Sequence, residues 1–314
     1  MKTYKFISTL RFLNIELKEP FTLMPGIELI SNKNEISKVL DEEFKNMAGI
    51  IETDHFINAN NIIFCEFDEK DFTFKSSHEA LLIWLIWVEI LIKDSWLVKE
   101  NSITCDIAYM KMTDGTHVEW SNNSLMAHTS LSSGEEFIET TFSYKELLEW
   151  ESKSNRLQSY LHEKDSSILK SFTEKKFSRI GRALRFIIAA NREKHTAIKI
   201  AHYCSALESL FSTDNSELSH KLSERIALFL KNYGYDPFIV FDDIKSFYNI
   251  RSKVTHGDSL QSKKADTIPE LSKKCDSYLR CIINEILDDS KLIDIFEGTK
   301  EIQEKYFKEL ILSK

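Results

Sequence analysis

The stretch DPFIVFDDIKSFYNIRSKVTHG, residues 236–257, carries a helix start, an apolar stripe and a stop signal in that order. Asp236 is suited to capping the first free amides, and Pro237 suits a first helical turn, where no N–H is needed. Phe238, Phe241, Ile244, Phe247, Tyr248 and Ile250 recur at helical spacing, which predicts a helix from Asp236 to about Lys253. Gly257 is a residue able to end it. Arg251 and His256 sit at this end with four residues between them. On an unbroken helix five steps of about 100° place the histidine roughly 140° around the axis from the arginine. The two share a site within one chain only if His256 lies at or beyond the helix end and folds back.

Outward from this stretch the pattern stays helical. Upstream, Tyr144–His162, Ser166–Arg192, His195–Phe211 and Ser216–Tyr233 each carry apolar residues at helical spacing, and Gly234 stops the last of them. Downstream, a loop from Gly257 to Pro269 leads to a helix over Glu270–Leu287 and a charged amphipathic tail helix over 291–314. Long helices with short connections predict a bundle.

The first half reads differently. Thr3–Leu17 alternates and is β-branched, Lys18–Gly26 is turn-rich, and Gly26–Ser31 and Asn61–Phe67 read as strands. Asn34–Met47 reads as a helix. Ser76 with Glu79 three residues on forms a capping box that opens another helix. Ile103–Met112 and His117–Trp120 flank Asp114-Gly115, a hairpin signal. Ser121–Glu136 reads as a loop and Phe137–Phe142 as a last strand. The expected fold class is therefore an α+β N-terminal domain, residues 1–150, followed by an all-α helical bundle, residues 155–290, and the tail helix.

Composition narrows the functional classes. Glycine (8) and proline (4) are scarce among 314 residues, which disfavours a turn-dense all-β fold. The apolar run Leu81–Ile92 is too short for a membrane span, which needs about 20 residues, and reads as a buried core helix. The Trp84, Trp87 and Trp96 stripe reads as core packing in preference to ligand stacking. No signal peptide is visible, and the five cysteines form no C-x-x-C pair, so a cytoplasmic protein with free thiols and no zinc ribbon is expected. No phosphate loop, dinucleotide fingerprint or metal-ligand spacing occurs, so no cofactor and no metal are called for. His117 and His128 are isolated. Residues 1–150 carry 13 basic against 25 acidic side chains, and residues 151–290 carry 23 against 19. A nucleic acid partner therefore belongs to the second half.

An arginine beside a histidine suits metal-free RNA cleavage. Histidine can take the ribose 2′-hydroxyl proton near neutral pH. A planar guanidinium can stabilise charge growing on the phosphoryl oxygens. The products are a 2′,3′-cyclic phosphate and a 5′-hydroxyl. Ser252 is placed to hold the imidazole or a phosphate oxygen. Glu208, inside an apolar helix, either orients Arg251 or His256 from a facing helix or is a partly exposed carboxylate. Arg179, Arg182 and Arg185, with Lys175 and Lys176 a turn earlier, form a basic stripe that tracks RNA phosphates or is simply solvated; Lys253 is a further RNA-binding candidate. The alternative for Arg251 and His256 is structural: an arginine paired with a carboxylate and a histidine capping the helix. A second match, Arg156 to His162, lies in a polar connector and reads as chance.

The ordered set Arg179–Phe186, Ala206-Leu207-Glu208-Ser209-Leu210-Phe211, Glu217-Leu218 to Arg225-Ile226-Ala227, and Phe247–Ser252 running into Val254–Gly257 resembles the HEPN superfamily, most closely its Apea-like branch. The resemblance covers roughly residues 165–290. It implies a helical domain that forms a homodimer and brings two arginine–histidine motifs to one cleft, with Ser252 as the polar residue after the arginine. It further implies a metal-independent endoribonuclease used as a toxin or abortive-infection effector in antiphage defence. A phage-derived trigger or an antitoxin is then a possible partner, and the N-terminal domain a possible sensor. Non-catalytic HEPN dimerisation or nucleic-acid-binding modules are the alternative.

Overall fold

The computed structural model describes residues 2–70, 74–124, 129–163, 178–213, 218–257 and 266–312. The chain forms an α+β N-terminal region followed by an all-helical region. It divides into two compact units: residues 1–129 with 137–155, and residues 130–136 with 156–314. The short 130–136 segment belongs with the helices, an excursion that no compositional break in the sequence announces.

In the first unit six strands form one antiparallel sheet, with order β3-β4-β5-β1-β6-β7. They are β1 (Lys2–Thr9), β3 (Phe21–Met24), β4 (Ile27–Ile30), β5 (Ile62–Asp68), β6 (Ala108–Asp114) and β7 (His117–Asn123). Period-2 alternation sends neighbouring side chains to opposite faces. Phe6, Leu29, Ile63 and Met110 join one core with α3 (Ser77–Asp94). Their neighbours Ile7, Ile30, Ile62 and Tyr109 join a second core with α1 (Lys33–Val39) and α2 (Glu42–Asn58). Both faces are thus covered by helix. α3 also packs against α4 (Tyr144–Glu163), whose buried Trp150 donates its Nε1 proton to the Leu91 carbonyl at 3.0 Å. Burial on two sides explains why Leu81–Ile92 is so apolar. Ser76 caps α3 by accepting from the Glu79 amide at 3.2 Å, and the Glu79 carboxylate reaches back to the Lys75 amide at 2.6 Å.

Several elements depart from the sequence reading. β3 lies inside the turn-rich Lys18–Gly26 connection, where Phe21 and Leu23 alternate into the core between two prolines. The single helix expected over Asn34–Met47 is two, because Asp41 caps a new start by accepting from the Phe44 amide at 2.8 Å. β7 runs to Asn123, into the expected loop. The strand expected over Phe137–Phe142 is reduced to β8 (Thr140–Thr141), paired with β2 (Leu13–Asn14).

The helical unit is built from α5 (Arg179–Asn191), α6 (Thr196–Phe211), α7 (Leu218–Lys231), α8 (Pro237–His256), α9 (Ile268–Asp288), α10 (Ser290–Phe296) and α11 (Lys300–Leu312). Ile187, Leu207, Phe229, Phe247, Leu279 and Phe296 are among its fully or almost fully buried residues. The single helix expected over Ser166–Arg192 is interrupted at Ser178, after which α5 begins at Arg179. Ser178 has extended φ/ψ and caps α5 by accepting from the Gly181 amide at 2.9 Å. Residues 166–177, including Lys175 and Lys176, lie outside the described residues, as does His128. The tail is two helices, broken at Gly298, where a Cβ would meet the Asp294 carbonyl at 2.8 Å. Among the described residues no helix is long and apolar enough to cross a membrane.

Candidate active site at the end of helix α8

The start and stop signals of α8 act as its sequence implies. Asp236 accepts from the amides of Phe238 at 2.8 Å and Ile239 at 3.2 Å. Gly257 takes the left-handed conformation, φ 74°, and its amide reaches the Lys253 carbonyl. The buried face presents Val240, Ile244, Phe247, Tyr248 and Ile250. The helix continues one residue past the position that would let His256 fold back: His256 is itself helical and is exposed. The expectation of an intrachain Arg251–His256 pair is therefore corrected. A left-handed cap at Gly257 keeps His256 in the last turn, roughly 140° around the axis from Arg251.

Arg251 turns toward α6. Its Nη2 lies 3.3 Å from both carboxylate oxygens of Glu208. The Tyr248 hydroxyl donates to Glu208 Oε1 at 3.0 Å and approaches the Cys204 carbonyl at 3.5 Å. Arg251 Cζ lies 5.9 Å from the Tyr248 ring centre. The arrangement follows from helix periodicity: Cys204 and Glu208 are four residues apart on α6, and Tyr248 and Arg251 three apart on α8, so each pair shares a face. Burial, then Cys204 and Glu208, push the Tyr248 phenol well above its ordinary range, so it is a proton donor to the carboxylate. Burial, then Glu208, push the Cys204 thiol up as well. Glu208 is thus the partner of Arg251 and not of His256.

Asn249, Ser252 and His256 lie on the opposite, exposed side of α8, where steps of three and four residues keep them on one stripe. The same stripe continues through Lys245 and Asp242 to Phe238, which is 82% exposed. Lys253 is half-buried. The Thr255 hydroxyl donates back to the Arg251 carbonyl at 2.8 Å.

The three arginines of α5 do not form a solvated row. All are half-buried, and a three-residue step drifts by about 60°, so they fan across roughly 120° of the helix. Arg179 Nη1 donates to the Ser212 carbonyl at 2.8 Å. The start of α5, where a phosphate would meet free amides, is filled by Glu297. Its carboxylate accepts from the amides of Arg179 at 3.2 Å and Ile180 at 2.9 Å, and from the Tyr160 hydroxyl at 2.7 Å. Arg156, of the second arginine–histidine match, pairs with Asp288.

The sequence reading missed the polar ties around α9. Asp243 of α8 accepts from Lys274 at 3.0 Å and the Tyr278 hydroxyl at 2.7 Å. Asp276 accepts from Tyr203 at 3.0 Å and pairs with Arg280. Their four-residue spacings, Lys274/Tyr278 and Asp276/Arg280, were the available signal. Among the described residues no group of three His, Cys, Asp or Glu is arranged to hold a metal ion. In comparisons with family models, curated proteins and solved structures, no match is found for the chain.

Proposed function

We propose that the helical unit is a metal-independent endoribonuclease whose site is completed by a second copy of the chain. The observation that carries this reading is the division of labour at the end of α8. Arg251 is held on one flank by Glu208 and Tyr248, and His256 stands exposed with Ser252 and Asn249 on another. One chain does not bring the two together. Packing in which the exposed α8 stripe of each copy, with Phe238 as its apolar part, meets the Arg251 flank of the other brings the histidine of each copy toward the arginine of its partner.

At such a site neutral His256 accepts the 2′-hydroxyl proton as the oxygen attacks the adjacent phosphorus. Arg251 offers its remaining N–H groups to the phosphoryl oxygens as charge accumulates there. Ser252 holds a phosphate oxygen or the imidazole. The phosphorus–5′-oxygen bond breaks, the 5′-oxygen takes a proton from water, and His256 later releases the 2′-hydroxyl proton to solvent, giving 2′,3′-cyclic phosphate and 5′-hydroxyl ends. The resemblance to the HEPN superfamily supports the same reading, and with it a role as a toxin or abortive-infection effector. A phage-derived trigger or an antitoxin would act on it, and the α+β unit would serve as sensor.

The deciding experiment is incubation of the purified chain with total RNA in EDTA, with end-group analysis. Cleavage to cyclic-phosphate ends, lost in His256→Ala and in Arg251→Ala while the dimer mass persists, is the expected result. Equal cleavage by wild type and His256→Ala overturns the site, and monomer mass at every concentration overturns the shared cleft.

The Arg251–Glu208 pair favours a second reading, a non-catalytic HEPN-type dimerisation or nucleic-acid-binding module in which the pair ties α6 to α8. That reading expects no cleavage by any form and a stability loss in Arg251→Ala.

A further inference from the structure

The first unit holds a half-open cleft of about 560 Å³ between the sheet and α3. Protein interiors leave few voids larger than a water molecule, and this volume is in the range of small-molecule sites, about 300–1,000 Å³. Its inner wall is buried: Phe6 from β1, Cys65 from β5, and Ala80 and Trp84 from α3. Phe67, Ile83 and Trp87 pack against the same core but stay half-buried at the mouth. Ala80, Ile83, Trp84 and Trp87 stand at i, i+3, i+4 and i+7, so one face of α3 forms the wall. Ala80 is the smallest side chain on that face and is fully buried, so a larger residue there would occupy the space.

Strand register sets the polarity of this wall. On β5, alternation turns Cys65 and Phe67 to the face that α3 covers and Glu66 to the other. Across the ladders Cys65 stands opposite Phe6 and Ile27, and Phe67 opposite Tyr4, whereas Glu66 stands opposite Lys5 and is exposed. Glu66 therefore borders the cleft through its strand and not through its carboxylate, and among the described residues of the lining no other carries a charge. The polar atoms on the inner wall are spent or neutral. The Trp84 Nε1 proton is given to Ser8 at 2.6 Å, and burial pushes the Cys65 thiol up to about 11. An ion entering the cleft would shed water without gaining a partner, whereas an apolar molecule gains by leaving water. The wall is also ordered in advance: Phe6 stacks on Trp84 at 5.1 Å and on Phe67 at 5.6 Å, and Phe74 meets Phe67 at 5.7 Å. A wall already in place keeps the ordering cost of binding low.

We propose that this cleft is a binding site for an uncharged, apolar aromatic compound of small-molecule size, its rings against Phe6, Phe67, Trp84 and Trp87. The occupant follows from the lining. Aromatic side chains offer a ring offset-stacked and edge-on contacts, and nothing on the wall holds a charged or strongly hydrogen-bonding head group. The three tryptophans then differ in role. Trp84 and Trp96 are buried core residues, as their sequence setting implies, and Trp87 is a half-buried residue at the mouth facing the ligand. The site is independent of the nuclease reading, and its test uses no RNA.

The test titrates the full chain with two fluorescent probes that share one ring skeleton. N-phenyl-1-naphthylamine is uncharged, and 8-anilino-1-naphthalenesulfonate adds a sulfonate to the same rings. Probe emission and calorimetry report binding. Saturable one-to-one binding of the uncharged probe is expected, with the sulfonate weaker by about tenfold or more, because its charge finds no partner on the wall. Ala80→Leu fills the cleft and abolishes binding of the uncharged probe while unfolding stays cooperative. Should Ala80→Leu fail to fold, Trp87→Ala at the mouth serves instead and weakens binding by about tenfold, the upper range of one lost aromatic contact. Glu66→Gln leaves the affinity for the uncharged probe unchanged, since that carboxylate lies on the other face of the sheet. Absence of saturable binding, a sulfonate bound as tightly as the uncharged probe, full affinity in folded Ala80→Leu or Trp87→Ala, or a loss of affinity for the uncharged probe in Glu66→Gln overturns the proposal.

Discussion

Replacing Glu208 separates the ionic and the hydrogen-bonding parts of the tie between α6 and α8. The Arg251 side chain is 34% exposed and that of Glu208 21%, so solvent screens the ion pair. A pair of this kind contributes about 0.2–1 kcal/mol. In Glu208→Gln a side-chain carbonyl remains to accept the Tyr248 proton, so the loss is confined to that ionic part. In Glu208→Leu the Tyr248 hydroxyl, on a residue only 7% exposed, keeps only the Cys204 carbonyl at 3.5 Å. Leaving a buried hydroxyl without a good acceptor costs about 1–3 kcal/mol. Arg251 can turn to water and adds little. The expected order of stability is wild type, Glu208→Gln, then Glu208→Leu. The double variant Glu208→Leu/Tyr248→Phe should recover most of the loss, because removing both partners removes the stranded donor. Urea unfolding followed by circular dichroism resolves this: a loss of ~2 kcal/mol moves the midpoint by about 1 M at m-values of about 1–3 kcal/mol/M. If Tyr248→Phe added to Glu208→Leu lowers stability further, the hydroxyl is not stranded and its bond to Glu208 does not hold α6 to α8.

Three further outcomes follow from the same geometry. Burial lowers the His202 pKa; Glu193 opposes the shift and Lys199 adds to it. Below the ordinary value of 6.5 the unfolded chain therefore binds a proton that the folded chain resists, and stability falls as pH drops through 6.5 toward the depressed folded value. Thermal midpoints measured across that window should show less of this slope in His202→Gln. Gly257→Ala meets nothing within 4 Å but must hold φ at 74°, so it should cost about 1 kcal/mol from conformation alone, read by thermal unfolding. Glu297→Ala leaves two α5 amides without their acceptor and the Tyr160 hydroxyl with Ser178 Oγ at 3.1 Å as its remaining partner, and should cost about 1–3 kcal/mol. Glu297→Gln, which keeps an acceptor, should cost less in the same measurement.

Legibility followed the nature of the signal. Helix α8 was readable at both ends because Asp236-Pro237 and Gly257 act through their own backbone and side-chain chemistry, within a residue or two. The capping box at Ser76 and the Asp114-Gly115 hairpin were readable for the same reason. Periodicity alone was a poorer guide to boundaries. It carried the α5 reading back to Ser166, past the cap that Ser178 supplies, and it joined α1 to α2 across Asp41. β3 was hidden because its flanking prolines mark a turn-rich segment, while its pairing with β4 is a tertiary choice. The tail's break at Gly298 was legible only as a lone glycine in a helical pattern.

The candidate site was legible residue by residue but not as an arrangement. Glu208 stood out as a carboxylate inside an apolar helix, and its cationic partner is Arg251. Tyr248 read as one more core aromatic, although its hydroxyl is what holds the carboxylate. The arginine–histidine spacing carried a geometric conflict that the sequence itself exposed: five helical steps separate the two faces. Resolving it required knowing whether the helix stops before His256 or after it. It stops after, at a glycine whose left-handed φ completes the last turn. Cooperation between Arg251 and His256 therefore requires groups from outside a single chain. That makes the exposed α8 stripe, from Phe238 to His256, the surface on which the nuclease reading depends. A substitution there that leaves both Arg251 and His256 intact, Phe238→Glu, should abolish RNA cleavage together with the dimer. Full activity in a monomeric Phe238→Glu would refute a shared cleft while leaving each residue in place.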